Sequence, residues 1–233
     1  MGYLYNLWDD FISILFPRIC PGCGSHLLRN ENIICSECYI LIPRTNYHLK
    51  PDNPVARLFW GRCMIENAAA FSFYARDSRI RKMIHQLKYN GLTEIGTELG
   101  RIYGLTLKNT EFLDGIDLII PVPLHKVKKR KRGFNQSEII CYGISEVTGI
   151  KTETTLLLRK SMTGTQTKRS RYDRWANVEG IFMVTDPEKL TNRHILVVDD
   201  VITTGSTLEA CIGEITKVEN VKISVAALAF AAI

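Results

Sequence analysis

The sequence predicts an α/β protein with a mostly parallel sheet flanked by helices and a small cysteine-rich module near the N-terminus. From residue 56 onward, short apolar runs alternate with amphipathic helical patterns, which is typical of a parallel sheet with crossover helices. Four of the seven cysteines form two Cys-x-x-Cys pairs. The 233 residues, 45% hydrophobic and 23% charged, are enough to bury a core and exclude a disordered or collagen-like chain.

Two units are expected along the chain: an N-terminal helix with the cysteine module at residues 1–50, and the α/β domain at residues 51–233. Residues 1–16 place apolar side chains at helical spacing, which predicts a short amphipathic helix. Pro17 ends that helix because proline cannot continue one. Residues 43–54 contain several prolines, which indicates a linker or loop.

The α/β domain is expected to alternate strands and helices. The predicted strands are residues 68–74, 117–122, 152–158, 194–198 and 221–230. The predicted helices are residues 78–89, 93–107, 134–147 and 207–217. Ligands of open parallel sheets bind beyond the carboxyl ends of the strands. The loops after Val122, Leu158 and Val198 are therefore the candidate site.

Charge and hydropathy favour a cytoplasmic protein. The 30 basic and 24 acidic residues give a mild net charge of +6. The longest apolar run, at residues 225–233, is too short to span a membrane. Asp9 and Asp10 interrupt the start of the chain, which therefore lacks the pattern of a signal peptide.

The paired cysteines predict a metal site. Cys20 and Cys23 are separated by two residues, as are Cys35 and Cys38, and eleven residues lie between the pairs. In a reducing compartment this pattern favours metal ligands over disulfides. Four thiolates complete a tetrahedral Zn²⁺ site, which is structural because no position stays open. Two local disulfides, the alternative, would need an oxidising compartment.

The segment 195–207 combines a buried strand, two carboxylates and a run of small hydroxyl residues. Asp199 and Asp200 need partners, because a core does not hold unpaired charges. A helix N-terminus adds backbone N–H groups, which suit a phosphate. The hydroxyls beside it belong to Thr203, Thr204, Ser206 and Thr207. This arrangement suits a sugar phosphate, and the alternative is an ordinary strand–helix turn with a capping residue.

This segment resembles, along its whole length, the phosphoribosyl pyrophosphate (PRPP) signature of the type I phosphoribosyltransferases. The resemblance implies the type I phosphoribosyltransferase fold, with Asp199 and Asp200 holding the ribose 2′- and 3′-hydroxyls. It implies that residues 203–207 surround the 5′-phosphate. The PRPP-binding residues that it assigns here are Asp199, Asp200, Val201, Thr203, Thr204, Gly205, Ser206 and Thr207.

A basic segment follows the predicted strand 117–122. Six of the seven residues at 126–132 are lysine or arginine. In the type I transferases the loop after this strand binds the pyrophosphate of PRPP, which implies this role for Pro123, Leu124, His125 and Arg132. The basic run itself fits two partners equally, pyrophosphate and the phosphates of nucleic acid.

A third loop, at residues 159–177, has six basic residues against one acid. It resembles in place and character the flexible catalytic loop of these transferases, which closes over the substrate and excludes water. Tyr172 and Trp175 add aromatic faces that suit single-stranded DNA. The alternative is a disordered surface loop, although long loops inside compact domains are often functional.

Taken together, the motifs are similar to the ComF family over essentially the whole chain. They are the four-cysteine finger, Leu87-Lys-Tyr-Asn-Gly91, Pro121-Val-Pro123, Arg132-Gly-Phe-Asn-Gln136 and the Asp-Asp-Val-Ile-Thr-Thr-Gly run that begins at Asp199. The resemblance implies a role in natural competence: cytoplasmic handling of incoming single-stranded DNA, in company with a DNA helicase. It also implies Mg²⁺ bound with PRPP, and it places Lys88 beside Asp199 and Asp200 among the catalytic residues.

Two functions stay open from the sequence. In the first, the protein binds PRPP as a sensor or as an inherited scaffold and acts in DNA uptake. In the second, it is an active transferase that moves ribose 5-phosphate from PRPP to an unknown nitrogen nucleophile. No residue identifies that acceptor, and fold alone does not decide between the two. Release of pyrophosphate from PRPP discriminates between them.

Overall fold

The computed structural model describes residues 17–160 and 180–231, and its centre is a five-stranded parallel sheet in the order β1-β7-β6-β2-β3. Two further strands, β4 and β5, form an antiparallel pair. The strands are β1 (Ala68–Phe73), β2 (Leu118–Pro121), β3 (Lys151–Thr152), β4 (Leu157–Arg159), β5 (Phe182–Val184), β6 (His194–Ile202) and β7 (Lys222–Phe230). The α/β prediction is confirmed.

Seven α-helices and three short 3₁₀ segments lie within the described part of the chain. The helices are α1 (Ser36–Ile40), α2 (Pro54–Arg57), α3 (Arg79–Asn90), α4 (Thr93–Lys108), α5 (Lys126–Arg132), α6 (Gln136–Thr148) and α7 (Ser206–Ile215). The 3₁₀ segments are Tyr47–Leu49, Glu111–Leu113 and Pro187–Lys189. No helix among the described residues is long and apolar enough to cross a membrane.

Both faces of the sheet are covered, as expected for parallel strands. Side chains alternate along β6: Ile195 and Val197 join a core with α7, whereas Leu196 and Val198 join a core with α3, α4 and α6. All four are fully buried. Because both faces are covered, a ligand reaches the sheet only at its ends or edges.

Helices α4 and α6 approach closely through a pair of glycines. A Cβ on Gly100 would collide with the backbone carbonyl of Ile140, and one on Gly143 with that of Thr97. The collisions involve backbone atoms, which cannot move aside as a flexible side chain would. The close packing therefore fixes α6 against the sheet and, with it, the position of its first turn.

Three local predictions differ from the structure. The predicted strand 152–158 is wrong, because β3 ends at Thr152 and the chain leaves the sheet to form β4, which pairs with β5 instead. The basic run after His125 is helix α5 rather than a loop. Strand β6 continues through the two aspartates to Ile202, because β7 supplies ladder partners up to Asp199 and again at Val201 and Ile202.

The connector at residues 43–54 packs along β1. The Thr45 N–H donates to the Phe71 carbonyl at 3.1 Å, and the Asn53 side-chain amide donates to the Ala68 carbonyl at 2.8 Å. The predicted helix at 1–16 lies outside the described residues, as does the predicted catalytic loop beyond Lys160.

Candidate functional site

Asp199 is held at the carboxyl-terminal part of β6 by two donors. The Ser137 hydroxyl donates to Asp199 Oδ1 at 3.1 Å, and the Asp200 backbone N–H donates to the same oxygen at 2.8 Å. Ser137 lies in the first turn of α6, whose N-cap is Asn135. The Asn135 side chain accepts from the Ser137 N–H and donates to the Val122 carbonyl at 3.0 Å, which joins α6 to the end of β2.

The surroundings of Asp199 oppose its ionisation. Burial, followed by the nearby charge of Asp200, raises the pKa of Asp199 to about 7, and the hydrogen bonds from Asp200 and Ser137 counter this only in part. Two adjacent carboxylates near the end of a strand store unfavourable charge. The site is therefore suited to donors and cations, such as sugar hydroxyls or a metal ion.

Asp200 faces a lysine from a distant helix. Lys88 Nζ lies 2.7 Å from Asp200 Oδ2, and that oxygen is buried without a well-aligned hydrogen bond. Only 5% of Asp200 is exposed, so the ion pair is the interaction that compensates its charge. The structure therefore brings together Lys88, Asp199 and Asp200, the three residues predicted to be catalytic.

The hydroxyl-rich turn after β6 opens helix α7. Gly205 is the N-cap with φ 77°, a left-handed conformation that glycine adopts without strain. A Cβ at this position would lie 3.5 Å from the Phe59 ring, and glycine has no side chain to cap the helix. Thr203, Thr204, Ser206 and Thr207 are exposed, with the Thr204 and Ser206 hydroxyls 3.0 Å apart. This end of α7 thus presents backbone N–H groups and hydroxyls together.

The basic helix α5 is defined by its two ends. The His125 ring accepts from the Val127 N–H at 3.2 Å, and Gly133 ends the helix with φ 88°. Arg132 differs from the other cations, because it is half-buried between Gln136, which it bonds, and the Tyr89 ring, whose centre lies 5.8 Å from its guanidinium. Lys129 pairs with Glu138 at 3.3 Å but is exposed. The remaining cations are exposed, namely Lys126, Lys128, Lys129, Arg130 and Lys131.

A cleft of about 420 Å³ lies between the end of β2, helices α5 and α6, and the β4–β5 pair. Pro123 and Leu124 line it, as do the cations Lys126 and Arg159. Its wall is part apolar and part basic. The cleft adjoins the Asp199 site through Asn135, which lines it and caps α6.

The N-terminal cysteines converge as predicted. The four sulfurs of Cys20, Cys23, Cys35 and Cys38 lie within 4.8 Å of one another. Backbone N–H groups point at them, from Ser25 to Cys23 and from Cys35 to Cys20, at 3.5 and 3.4 Å. These hydrogen bonds favour thiolates, which are the form that binds metal.

The donor set fits a metal ion. Hydrogen bonds from Ser25 lower the pKa of Cys23 to about 6, whereas burial raises the pKa of Cys38. A Cβ on Gly22 would lie 2.8 Å from Cys38 Sγ, so the turn leaves no room for a side chain beside the sulfurs. Four thiolates in this arrangement can hold a tetrahedral ion such as Zn²⁺.

The sequence does not single out two residues, Ser137 at the Asp199 site and Arg79 at the cysteine cluster. Ser137 is 62 positions from Asp199, and a serine in a helical pattern gives no indication of that hydrogen bond. Arg79 donates to Cys38 Sγ at 3.3 Å, although it begins a helix 41 residues away. Asn135 as an N-cap was the one available signal, because it would have placed Ser137 in the first turn at the edge of the sheet.

Comparison with known proteins agrees with this architecture. Residues 150–232 match the family described as the phosphoribosyl transferase domain. The chain is 31% identical over 193 residues to DNA utilization protein YhgH of Escherichia coli, covering 82% of this chain and 80% of that protein. It is 28% identical over 200 residues to competence protein F of Haemophilus influenzae, covering 81% and 86%.

Among solved structures, the chain aligns with the glutamine PRPP amidotransferase of Bacillus subtilis at a TM-score of 0.41 and 16% identity, over 57% of this chain and 26% of that one. A likeness of that size adds nothing to the assignment. The similarity to YhgH extends over about four-fifths of both chains, and the four-cysteine cluster and the phosphoribosyl transferase domain both lie in this chain. The protein therefore belongs to the ComF family.

Proposed function

We propose that the protein binds PRPP with Mg²⁺ at the carboxyl end of β6 and acts in natural competence, where it handles incoming single-stranded DNA in the cytoplasm alongside a DNA helicase. The two units proposed for these tasks are the zinc-binding module at 1–50 and the transferase-like domain at 51–233. The observation that carries the PRPP proposal is the position of Asp199 and Asp200, between the hydroxyl-rich start of α7 and Lys88.

Each part of PRPP has a counterpart in this arrangement. The exposed hydroxyls and N–H groups at residues 203–207 suit the 5′-phosphate. The two carboxylates suit the ribose hydroxyls, and Asp199 would use Oδ2, because Oδ1 already accepts from Ser137 and Asp200. Arg132 and the start of α5 supply positive charge for the pyrophosphate.

Mg²⁺ fits the same site. Carboxylate, hydroxyl and phosphate oxygens are the ligands that this ion prefers, and Asp199 and Asp200 provide carboxylates beside the proposed diphosphate. When bound, the ion would offset the charge of the pyrophosphate. The Asp199 and Asp200 side chains would orient the ribose, and Arg132 with the start of α5 would stabilise the leaving pyrophosphate.

Transfer to an acceptor is the second candidate function. The cleft of about 420 Å³ beside the Asp199 site offers room for a small nitrogen nucleophile. In that reaction the bond from the anomeric carbon to pyrophosphate breaks and a bond to nitrogen forms. Release of pyrophosphate by purified protein with an amine or base would establish transfer, whereas binding without release would favour the sensor or scaffold role.

The test of PRPP binding is calorimetry with Mg²⁺ present. Asp199→Ala and Asp200→Ala each remove a charge-assisted hydrogen bond to a ribose hydroxyl, so we expect binding to weaken about ten- to a hundredfold. Asp186→Ala is the matched control, because Asp186 is an aspartate that pairs only locally with Lys189. Wild-type protein that gives no heat with millimolar PRPP and Mg²⁺ would contradict the proposal.

A further inference from the structure

Helix α3 connects the four-cysteine cluster directly to the Asp200 carboxylate. Its first residue, Arg79, donates from Nη1 to Cys38 Sγ at 3.3 Å and pairs through Nη2 with Glu37 at 2.7 Å. The turn at Gly22 packs against both Cys38 and Arg79, since a Cβ on Gly22 would meet the Cys38 sulfur and the Arg79 Cβ. The start of α3 is thus clamped to the cysteine module.

Helix α3 is expected to be rigid along its length. It contains neither glycine nor proline, the usual causes of a sharp bend. Ile80, Met83, Ile84 and Leu87 are fully buried along one face. Ser78 caps the start and Gly91 ends the helix with φ 73°. A displacement at one end is therefore passed to the other rather than absorbed between them.

The far end of α3 carries Lys88, nine residues and about 14 Å from Arg79 along the helix axis. Lys88 Nζ lies 2.7 Å from Asp200 Oδ2, in an ion pair with little solvent access. Buried pairs lose much of their benefit when the partner moves away, because the remaining charge is left uncompensated. The position of Asp200 thus depends on where α3 places Lys88.

We propose that Arg79 is a positioning residue for the PRPP site: by clamping α3 to Cys38 and Glu37 of the cysteine module, it places Lys88 against Asp200. This inference rests on the proposed PRPP function. It gives the cysteine module a second role beyond its own stability, because the module becomes part of the frame that shapes the sugar–phosphate site.

The first experiment measures PRPP affinity with Mg²⁺ by calorimetry in Arg79→Ala. We expect affinity about two- to thirtyfold weaker than wild type, the usual range for coupling through a packed network. Arg81→Ala is the matched control, because Arg81 lies on the same helix but its guanidinium lies 5.8 Å from the centre of the Tyr74 ring rather than against Cys38. It should bind PRPP as the wild type does. Arg79→Ala binding equally well would overturn the inference.

The route through Lys88 is tested by a double-mutant cycle. In a Lys88→Ala background, adding Arg79→Ala should change PRPP affinity by less than about twofold, because the positioned group is already gone. An unchanged effect of Arg79→Ala in that background would overturn the route. Glu37→Gln covers the case in which Arg79→Ala fails to fold, since it removes one anchor of the guanidinium at an exposed position. Glu37→Gln should also weaken PRPP binding, but by less than Arg79→Ala does.

A second readout does not involve PRPP. The Arg79 N–H bond to Cys38 orients a metal-ligating sulfur, and removal of such outer hydrogen bonds lowers metal affinity about ten- to a hundredfold. Arg79→Ala should therefore release zinc faster to a chromogenic chelator than Arg81→Ala does, and equal rates would overturn the clamp. If the wild-type protein binds no PRPP, both the proposed function and this inference are overturned. If the wild type binds PRPP and Arg79→Ala binds it with the same affinity, only this inference is overturned.

Discussion

Asp199 accepts two hydrogen bonds, and yet its surroundings disfavour the ionised carboxylate. The Ser137 hydroxyl and the Asp200 N–H satisfy one of its oxygens. Burial and the second carboxylate raise its pKa to about 7. Such a group binds more protons in the folded than in the unfolded chain, where its pKa is about 3.9. Its contribution to stability therefore falls as pH rises between these values.

Asp199→Asn should stabilise the protein while it weakens PRPP binding. The amide oxygen can still accept from Ser137 and Asp200, but the cost of ionisation is removed. We expect the free energy of unfolding to rise by about 0.5–2 kcal/mol at pH 8, with a smaller gain at pH 5.5, where the wild-type carboxyl is already protonated in the fold. Urea unfolding at the two pH values measures this.

Asp117→Asn is the control of opposite sign. The N–H of His194 lowers the pKa of Asp117, so its charge stabilises the fold above the unfolded pKa and that benefit disappears as pH falls. Asp117→Asn should therefore be less stable than wild type at pH 8. Asp199→Asn that is also less stable at pH 8 would contradict the assignment of unfavourable burial at Asp199.

At the scale of elements, the sequence predicts well those segments that bury a face. Helices α3 and α4 lie within one or two residues of their predicted bounds, because apolar side chains repeat at helical spacing. Helix α5 has one apolar residue, Val127, and that residue is exposed, so no periodic pattern identifies it. Its caps, His125 and Gly133, decide its structure instead.

The sequence also does not indicate which strands pair with each other. The aspartates extend β6 because residues 227–230 of β7 lie beside them. Strand β4 pairs with β5, which lies more than twenty residues later. The same holds in the site. Carboxylates and hydroxyls close in sequence could be predicted as a group, and Lys88 is placed with them through the family resemblance. Ser137 reaches Asp199 from a helix 62 positions earlier, and the sequence does not predict that contact.

Helix α5 should serve two phosphate ligands with different residues. Lys128 and Lys131 are exposed, whereas Arg132 is held by Gln136 and Tyr89 beside the proposed PRPP site. The double variant Lys128→Ala, Lys131→Ala should lower the salt dependence of single-stranded DNA binding by about 0.7 log units for each phosphate that is no longer neutralised. PRPP affinity should change by less than about twofold, because Arg132 is unaltered. Fluorescence anisotropy at several salt concentrations measures the slope.

The control for this experiment is Lys108→Ala. Helix α4 starts after the end of α3 near the site and runs for 16 residues, so Lys108 lies at its far end. This variant should leave the slope unchanged. PRPP should also compete with DNA, because the two ligands would place phosphates against neighbouring residues of the same seven-residue helix. DNA binding that ignores salt would contradict the electrostatic mechanism, and binding that ignores PRPP would place the DNA elsewhere.

At the scale of the whole molecule, the buried cysteines and the sheet form separate clusters, and Ile34 packs against both. Buried Cys20, Cys35 and Cys38 form a cluster apart from the two that cover the sheet. Besides Arg79, the guanidinium of Arg44 connects them, lying 4.9 Å from the Tyr39 ring and 5.4 Å from the Phe71 ring. We therefore expect the sheet to fold without the metal, because the clusters that cover it do not contain the four cysteines.

One zinc ion per chain is expected. Its removal should leave the α/β domain folded but weaken PRPP binding. Cys23→Ala removes one of four thiolates, so the module should release its metal and unfold, since metal binding and folding are coupled in such sites. Circular dichroism should still show the α/β domain, because its core clusters do not contain these cysteines. PRPP affinity should fall, because the start of α3 loses its anchor at Cys38. Metal analysis, circular dichroism and calorimetry measure the three effects, and fresh reduced wild-type protein with less than about half an equivalent of zinc would contradict the one-to-one site.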